Sequence, residues 1–486
     1  MDPLLLVQIA LTLASLAVIF LWFWQVQPIS EAGGRVSTPA LILSLWIVSS
    51  ELLHRSFFTV RVPGLLDLTI ERVLFVAILF FLIAGLFQGR VRFEKNISIE
   101  IAMGMFLLVL FVSMIQHGFS ASMPSIPDPS WQTSLSAPGS GPKPSYTFQV
   151  GYFIPFLCFV FAKHYLVTEK DVSCLLHALF YFGVYLSIIS YFEFADLRQF
   201  VYPQYINDPE NLLHLERARG PFLNSGINGG AILFGFISGV HLLQKKTDFA
   251  RVFHLTMLLL FFPAVYFTQT RCVYLGFVAT LIILGGWYKT SVEKWKLASL
   301  PIALVCILMI VYAGSGRLMS EDRRAGGIVQ MSEMAIRLNL LDKSFALFQD
   351  APIFGIGLSQ FMTASTISLK PPARPFELED VQSQFQHNHI LGIATELGLV
   401  GLTVYLMLLI LIFRRLKQLV GKLPKEGLLG DNLRFIILSG WCIYIIINMF
   451  LTPEHHLFFN ATPFIFAGLL DGIYTRSLER GKSAVG

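Results

Sequence analysis

A pair of histidines marks the boundary between a polar and an apolar stretch of the chain. Residues 386–401 read QHNHILGIATELGLVG, and the apolar run that follows His387 is long enough to cross a bilayer as a helix. A histidine that titrates near neutrality takes a proton from an attacking hydroxyl, so His387 is a candidate base. Asn388 is suited to a simpler role, because asparagine is a preferred N-cap of the helix that it precedes.

A second titratable pair lies further along the same predicted helix. His389 and Glu396 are seven positions apart and therefore share one helical face. A carboxylate inside a membrane is costly where it meets lipid, so Glu396 is expected to face protein or a water-filled cavity. Two interpretations of His389 remain open: it competes with His387 as the base, or it is a packing residue paired with Glu396.

Four arginines precede these histidines in segments that border apolar runs. Arg217 and Arg219 lie in the sequence RARG, Arg271 ends the short turn TQTR, and Arg337 lies in the long polar segment before His387. A guanidinium group binds phosphate oxygens through two parallel hydrogen bonds and keeps its charge when water is removed. A group of such residues beside a membrane therefore predicts a site for a lipid diphosphate. Each arginine taken alone has an alternative role as an interfacial anchor.

The elements that position these residues are membrane helices. Hydrophobic residues make up 55% of the 486-residue chain and charged residues only 14%, against about 25% charged in an ordinary soluble domain. The predicted fold class is all-α, with about 12–13 transmembrane helices and one large periplasmic loop, because a backbone in hydrocarbon must satisfy its own hydrogen bonds. The predicted spans are residues 4–24, 38–53, 66–87, 98–116, 148–166, 173–192, 229–244, 252–270, 272–288, 297–313, 387–413, 433–451 and 460–475.

The basic residues predict the orientation of these spans. Loops after odd-numbered spans contain most of the lysines and arginines, so these loops are expected on the cytoplasmic side. The long loop, His387 and the four arginines are then expected together on the periplasmic side. No loop on that side has carboxylates or histidines at metal-ligand spacing, so neither a metal nor another cofactor is expected. The net charge of +5 lies in short loops, which indicates membrane orientation rather than a nucleic-acid surface.

One long polar loop interrupts the single integral membrane domain that is expected over residues 1–486. This periplasmic loop covers residues 314–386, and apolar residues at helical spacing predict an amphipathic helix within it that ends before Pro352. The residues at this spacing are Leu338, Leu341, Phe345 and Phe348. A turn at Gly355 and Gly357 is expected next, and the Pro/Ser-rich stretch 117–147 is expected to be an irregular loop.

The sequence around His387 resembles the signature of a known family. HNHILGIATELGLVG is similar to the pattern HNxxLxxxxExGxxG of the O-antigen ligase and O-antigen polymerase superfamily, whose members are bacterial membrane glycosyltransferases. Three earlier segments also resemble parts of that family in the same order, namely RGPFLNSG, TQTR and RLNLLDKSFALFQDAPIFGIGLSQF. Together these segments span residues 217–402.

The resemblance implies the inverting transfer of a glycan from undecaprenyl diphosphate to an acceptor sugar hydroxyl at the periplasmic face, without a metal. Carried over to this sequence, His387 matches the histidine that activates or positions the acceptor. Arg219 and Arg271 match the arginines that hold the donor diphosphate, and Arg337 matches a further loop arginine that we expect at the same site. Supporting roles are expected for Arg217, Asn388, His389 and Glu396. The chain departs from the family pattern in the additional His389, in Pro221, and in thirteen predicted spans rather than twelve.

The resemblance also implies partners and a location. The expected partners are the undecaprenyl-diphosphate-linked glycan donor, a glycan or lipid A core acceptor, membrane lipids and other membrane proteins of polysaccharide assembly, with no nucleic acid. The expected location is the bacterial inner membrane, in lipopolysaccharide or exopolysaccharide biosynthesis. A ligase and a polymerase remain alternatives, because they share the donor chemistry. A transporter or flippase of lipid-linked oligosaccharide is the alternative from another class, and it predicts charges deep in several spans, whereas here Glu396 is the main deep charge.

Overall fold

The computed structural model describes residues 36–53, 59–60, 68–92, 97–118, 143–208, 215–245, 248–287, 331–362, 364, 386–451 and 456–483. These residues form an all-α membrane protein with one pair of two-residue antiparallel strands, β1 (Thr59–Val60) and β2 (Leu68–Thr69). The helices are α1 (Thr38–Leu52), α2 (Ile70–Phe87), α3 (Ser98–His117), α4 (Pro144–Tyr165), α5 (Glu169–Phe194), α6 (Ser225–Leu242), α7 (Asp248–Leu259), α8 (Phe261–Phe267), α9 (Arg271–Trp287), α10 (Met331–Asp350), α11 (His389–Gln418), α12 (Leu433–Asn448) and α13 (Leu457–Ser483). Part of α4, Thr147–Phe153, is a π-helix.

The predicted spans coincide with helices wherever the structure describes them. In the described part of the chain, 8 helical segments are long and apolar enough to cross a membrane, one of them formed by α7 and α8 together. Helices α1, α9 and α12 are shorter apolar helices. The spans predicted at residues 4–24 and 297–313 lie outside the described residues, as does most of the loop predicted at 117–147.

Helices α5 and α6 pack closely together at the centre of the bundle. A Cβ atom added to Gly235 of α6 would lie 2.7 Å from the Cα atom of Gly183 in α5, so the two backbones approach each other through glycine. Asn224 caps α6, since its side-chain oxygen accepts the backbone N–H of Gly226 at 3.0 Å. This packing places the last turn of α5 beside the segment that leads into α6.

A buried charge network joins four helices at the opposite end of the bundle. Lys163 of α4 forms salt bridges with Glu100 of α3 and, at 2.8 Å, with Asp471 of α13. Asp471 also binds Arg415 of α11. The sequence suggested that Glu396 is the main charge inside the spans. The structure shows that the described spans also contain these four charged residues. Each cation of the network lies against a carboxylate, which offsets the cost of removing the charges from water.

Helix α11 is broken at Gly398. This residue has φ 64° and ψ −164°, so the apolar run predicted as one span consists of two helical pieces. The backbone groups freed by the break bond to the turn after α10. The N–H of Leu399 donates to the carbonyl of Pro352 at 2.8 Å, and the N–H of Gly357 donates to the carbonyl of Glu396 at 2.9 Å. A broken membrane helix is tolerated where neighbouring protein satisfies its backbone in this way.

Helix α10 forms where the sequence predicts an amphipathic helix, but its buried face is shifted by one position. Leu340 and Leu347 are buried with Phe361 of the following turn. Leu341 and Phe345, which were expected in the packed stripe, are 45% and 57% exposed. The helix has apolar residues on both stripes, so spacing alone did not determine which stripe packs against the turn.

Candidate active site

Four side chains of the predicted site converge where α5 ends and α6 begins. Arg217 interacts electrostatically with Arg271 and Arg337, and Arg337 also acts on Arg271 and on His387. These residues come from separate parts of the chain: the segment before α6, the first residue of α9, the first half of α10 and the segment before α11. The sequence predicts only that they share one side of the membrane, and the tertiary structure brings them together.

A backbone hydrogen bond fixes two of the arginine segments relative to each other. The N–H of Ala218 donates to the carbonyl of Phe267 at 3.1 Å. Ala218 follows Arg217 directly, and Phe267 ends α8 just before the turn that leads to Arg271. The short turn TQTR therefore does more than join two helices, because it also sets the position of Arg217 relative to Arg271.

The three clustered arginines form a region of uncompensated positive charge. Within the described part of the chain none of them forms a salt bridge, although the exposed Glu216 attracts Arg217. Burial lowers the pKa of Arg217, Glu216 opposes that shift, and Arg271 and Arg337 add to it. Arg337 is exposed, with its guanidinium carbon 6.0 Å from the centroid of the Phe450 ring. Cations that repel one another and form no salt bridge among the described residues are suited to binding an anion with several negative charges.

Arg219 lies apart from this group. Its side chain is fully buried, its guanidinium donates to the carbonyl of Ile206, and Glu193 attracts it. Burial lowers the pKa of Arg219, and Glu193 opposes that shift. The family pattern favours Arg219 as the diphosphate ligand, whereas the structure groups Arg217 with Arg271. The physical reason is that α5 supplies Arg219 with a buried carboxylate.

His387 has a strained backbone and a neutral ring. Its φ is 51°, a conformation that is uncommon for residues with a side chain and that recurs at functional sites. Its Nδ1 atom is buried and has no hydrogen-bond partner among the described residues. Burial, and secondarily the charge of Arg337, lower the pKa of His387 from 6.5 to about 4. The imidazole is therefore neutral at pH 7 and available to accept a proton.

The two residues after His387 hold the start of α11. Asn388 is the N-cap, since its side-chain oxygen accepts a backbone N–H of the first turn at 3.0 Å. His389 is buried, and its ring centroid lies 6.0 Å from that of Tyr152 and 5.4 Å from that of Tyr405. These contacts favour the packing interpretation of His389 over a role as base.

Glu396 holds the turn after α10 against α11. Its carboxylate accepts the backbone N–H groups of Ser359 at 2.8 Å and Phe361 at 3.3 Å, and the side-chain amide of Gln386 donates to it at 3.5 Å. Gln386 directly precedes His387. The carboxylate therefore links the turn to the residue next to the candidate base. Because the carboxylate is buried, these hydrogen bonds also offset the cost of removing it from water.

Two polar residues that were not predicted from the sequence hold the segment around Arg217. The Glu193 carboxylate accepts the backbone N–H of Gly220 at 3.0 Å, and the Asn228 side chain donates to the carbonyl of Ala218 at 3.2 Å. Both lie at or near an end of an apolar run, where a buried polar group marks a candidate site. That signal was present in the sequence, but it did not indicate which segment the two side chains contact.

Metal ligation has no visible basis in this part of the protein. Among the described residues, no group of three or more histidines, cysteines or carboxylates lies close enough to hold a metal ion. The positively charged groups that cluster here are the side chains of Arg217, Arg271 and Arg337.

Comparison with known families identifies the segment that contains most of the site. A model of the family described as O-antigen ligase matches residues 256–406. This segment of the chain is similar to the O-antigen ligase family. It includes Arg271, Arg337 and His387, and it begins after Arg217. No curated protein matches the chain.

The similarity of residues 256–406 to the O-antigen ligase family indicates the general chemistry. Proteins of this family are membrane enzymes of the glycosyltransferase type that act on lipid-linked glycans. The apolar helices of the described residues agree with such a membrane context.

Proposed function

We propose that this protein transfers a glycan from undecaprenyl diphosphate to an acceptor sugar hydroxyl at the periplasmic face of the bacterial inner membrane, with inversion and without a metal. The grouping of Arg217, Arg271 and Arg337, with Arg337 next to His387, is the observation that supports this proposal most. A diphosphate has the charge and the oxygen geometry that guanidinium groups bind. The excess of basic residues in the loops at the opposite end supports the periplasmic placement of the site.

In the proposed step, the acceptor hydroxyl oxygen attacks the anomeric carbon of the donor sugar from the side opposite the diphosphate. The new glycosidic bond forms while the bond from the anomeric carbon to the diphosphate oxygen breaks, which inverts the anomeric centre. The hydroxyl proton passes to a ring nitrogen of His387. The electron pair of the broken bond stays on undecaprenyl diphosphate, and the added charge is stabilised by the arginines.

We assign to Arg217 the donor-binding role that the family pattern suggests for Arg219. Arg217 lies with Arg271 and Arg337, without a salt bridge among the described residues. Arg219 has the buried Glu193 beside it instead. In this proposal Arg217, Arg271 and Arg337 contact the diphosphate, and Arg219 supports the segment from within the protein.

The test uses purified full-length protein in lipid nanodiscs, a polyprenyl-diphosphate-linked glycan as donor and a separate glycan acceptor. His387→Ala is expected to lower the transfer rate by roughly 100-fold or more, the usual contribution of a general base. The matched control is His389→Phe, which keeps an aromatic ring between Tyr152 and Tyr405 and is expected to retain most of the activity. Full activity of His387→Ala together with loss in His389→Phe would assign the base to His389.

The same assay separates the two neighbouring arginines. Arg217→Gln is expected to raise KM for the donor while the temperature of thermal unfolding stays unchanged. Arg219→Gln is expected to lower the unfolding temperature, because it leaves the buried Glu193 without its positive partner. A donor defect confined to Arg219→Gln would restore the role that the family pattern suggests.

The acceptor distinguishes a ligase from a polymerase. In a host that lacks this protein, finished chains that stay on the polyprenyl carrier indicate a ligase, whereas single repeat units indicate a polymerase. The transporter alternative predicts donor movement without a new glycosidic bond. The charges of Lys163, Glu100, Arg415 and Asp471 lie against one another, which favours a structural role for them over the substrate path that a transporter would need.

A further inference from the structure

Glu193 lies at the last turn of α5 and is buried, with 2% of its surface exposed. Its carboxylate accepts the backbone N–H of Arg219 at 3.3 Å and that of Gly220 at 3.0 Å. A buried carboxylate is costly unless hydrogen bonds and a positive charge compensate it. The two N–H groups and the guanidinium of Arg219 supply both. The Glu193 carboxylate and the backbone at Arg219 and Gly220 therefore stabilise each other.

Other contacts hold the same short segment from its remaining sides. The Asn228 side chain donates to the carbonyl of Ala218 at 3.2 Å, and the Ala218 N–H donates to the carbonyl of Phe267 at 3.1 Å. Gly220 has φ 54°, and a Cβ atom there would lie 2.4 Å from the Asn228 Oδ1 atom. Residues 218–220 are thus fixed at the backbone level, and the side chain of Arg217 extends from the fixed end of this segment.

These contacts explain why two arginines separated by one residue have different surroundings. Arg219 is drawn into the protein by Glu193, whereas Arg217 remains with Arg271 and Arg337. Without the carboxylate, the buried guanidinium of Arg219 would lose its counter-charge. The segment would then shift to bring that guanidinium toward water, and Arg217 would move with it.

We propose that Glu193 is a positioning residue for the donor diphosphate, acting on Arg217 through the buried segment 218–220. The inference rests on the proposed donor-binding role of Arg217. Glu193 itself does not touch the donor in this proposal. Its carboxylate sets the direction in which Arg217 leaves the backbone, in the same way that second-layer residues orient the ligands of other anion and metal sites.

The substitution Glu193→Gln tests the proposal, because glutamine keeps the shape and an acceptor oxygen but removes the charge beside Arg219. In the donor assay, kcat/KM for the donor is expected to fall by roughly 10-fold, as for loss of other second-layer contacts. KM for the acceptor is expected to stay unchanged. The matched control is Asp196→Asn, three residues further along the chain, whose carboxylate is exposed and pairs with Arg198. This control is expected to behave as wild type.

A double-mutant cycle decides whether Glu193 acts through Arg217. Arg217→Gln alone and Glu193→Gln alone are each expected to lower kcat/KM for the donor, and the double variant is expected to be no worse than Arg217→Gln. Losses that multiply in the double variant would overturn the inference, since Glu193 would then act independently of Arg217. A merely structural role would lower the amount of folded protein in both backgrounds by the same factor.

The outcomes also separate this inference from the proposed function. A donor defect in Arg217→Gln with a normal Glu193→Gln variant overturns only the role of Glu193. Normal donor kinetics in Arg217→Gln overturn the donor-binding role of Arg217, and the positioning role with it. If Glu193→Gln does not fold, Glu193→Asp takes its place, because it keeps the charge but shortens the side chain that bonds to the N–H groups of Arg219 and Gly220. That variant is expected to show the same donor-specific loss, and normal donor kinetics in it would overturn the inference.

Discussion

The side chain of His387 is held neutral by its surroundings. Burial and the positive charge of Arg337 keep its pKa at about 4, below the ordinary value of 6.5. A base must be unprotonated before the acceptor arrives, so the cation beside it favours the reactive form. When the diphosphate binds, its negative charge opposes that of Arg337 and raises the pKa of the imidazole. Donor binding therefore makes His387 a stronger proton acceptor.

The pH dependence of transfer follows from this shift. Because the pKa is lowered, His387 becomes protonated only as the pH falls through about 4, and kcat/KM for the donor is expected to hold down to that range. The acid limb of kcat is expected at higher pH than that of kcat/KM, since kcat reports the complex with bound diphosphate. The measurement is a pair of pH profiles with saturating acceptor. An acid limb near 6.5 in both profiles would contradict the prediction.

Substitution of Arg337 tests in a second way whether the acid limb belongs to His387. Arg337→Gln removes a positive charge that acts on His387, so the acid limb of kcat/KM is expected to move to higher pH. Arg271→Gln is the matched control, because Arg271 is not among the charges that shift His387. It is expected to weaken donor binding without moving the limb. Equal movement in both variants would indicate that the limb belongs to another group.

The sequence could not show that Arg217 and Arg219 have different surroundings. Arg217 and Arg219 are two positions apart, and residues at that spacing in an extended segment face the same side, so physical reasoning treated them alike. The residue that separates them is Glu193, which lies 26 positions before Arg219. By contrast, the sequence did predict that Arg271, Arg337 and His387 lie on the same side of the membrane.

At the scale of elements, the junction between α11 and the turn after α10 depends on Gly398. A Cβ atom at this position would lie 2.3 Å from the carbonyl oxygen of Ile353, and φ is 64°. Gly398→Ala is expected to cost about 1–3 kcal/mol of stability and to reduce transfer, because the turn next to His387 can no longer dock in the same position. Thermal unfolding and the transfer assay together check this outcome.

The control for that substitution is Gly104→Ala in α3. An added Cβ atom there meets no other atom within 4 Å. Alanine is a better helix former than glycine, so the substitution is expected to be neutral or to stabilise by up to about 1 kcal/mol. Equal destabilisation by Gly104→Ala and Gly398→Ala would show that the junction has no special role.

The helices themselves were largely predictable, but the break in α11 was not. Apolar runs of sufficient length predicted every membrane helix that the structure describes, because hydrocarbon admits little else. Residues 387–413 are apolar on both sides of Gly398, so hydropathy gives no sign of a break there. A glycine inside a membrane helix is often explained by close helix packing alone. The partner of the break is the turn at Pro352 to Gly357, about forty residues earlier, and only the folded chain brings the two together.

Across the whole molecule, the arginine cluster and the buried charge network differ in whether their charges form salt bridges. At one end of the bundle Arg217, Arg271 and Arg337 form no salt bridges among the described residues. At the other end Asp471 forms salt bridges with both Lys163 and Arg415. The paired end has a structural role, since it joins four helices. The unpaired end is available to an anion. This asymmetry was visible in the sequence only as an unequal number of basic residues in the loops.

Substitution at the paired end is expected to affect stability alone. Asp471→Asn leaves Lys163 and Arg415 without their shared carboxylate and is expected to cost about 3–5 kcal/mol, while KM for the donor is unchanged in the protein that remains folded. The control Asp431→Asn removes a partly exposed partner of Arg434 and is expected to cost less than about 1 kcal/mol. Thermal unfolding and donor kinetics measure both. A donor-specific defect in Asp471→Asn would contradict this division of roles.

The contacts of Glu396 have a practical consequence for topology mapping. Phe361 and Gln386 both bond to this one carboxylate, so the two ends of the stretch between them are held together. Lengthening a loop whose ends are already held together costs only about 0.6 kcal/mol for each doubling of its length. An epitope tag inserted after Lys370 is therefore expected to leave transfer intact. Antibody binding to that tag in intact spheroplasts would then report directly which side of the membrane the arginine cluster faces.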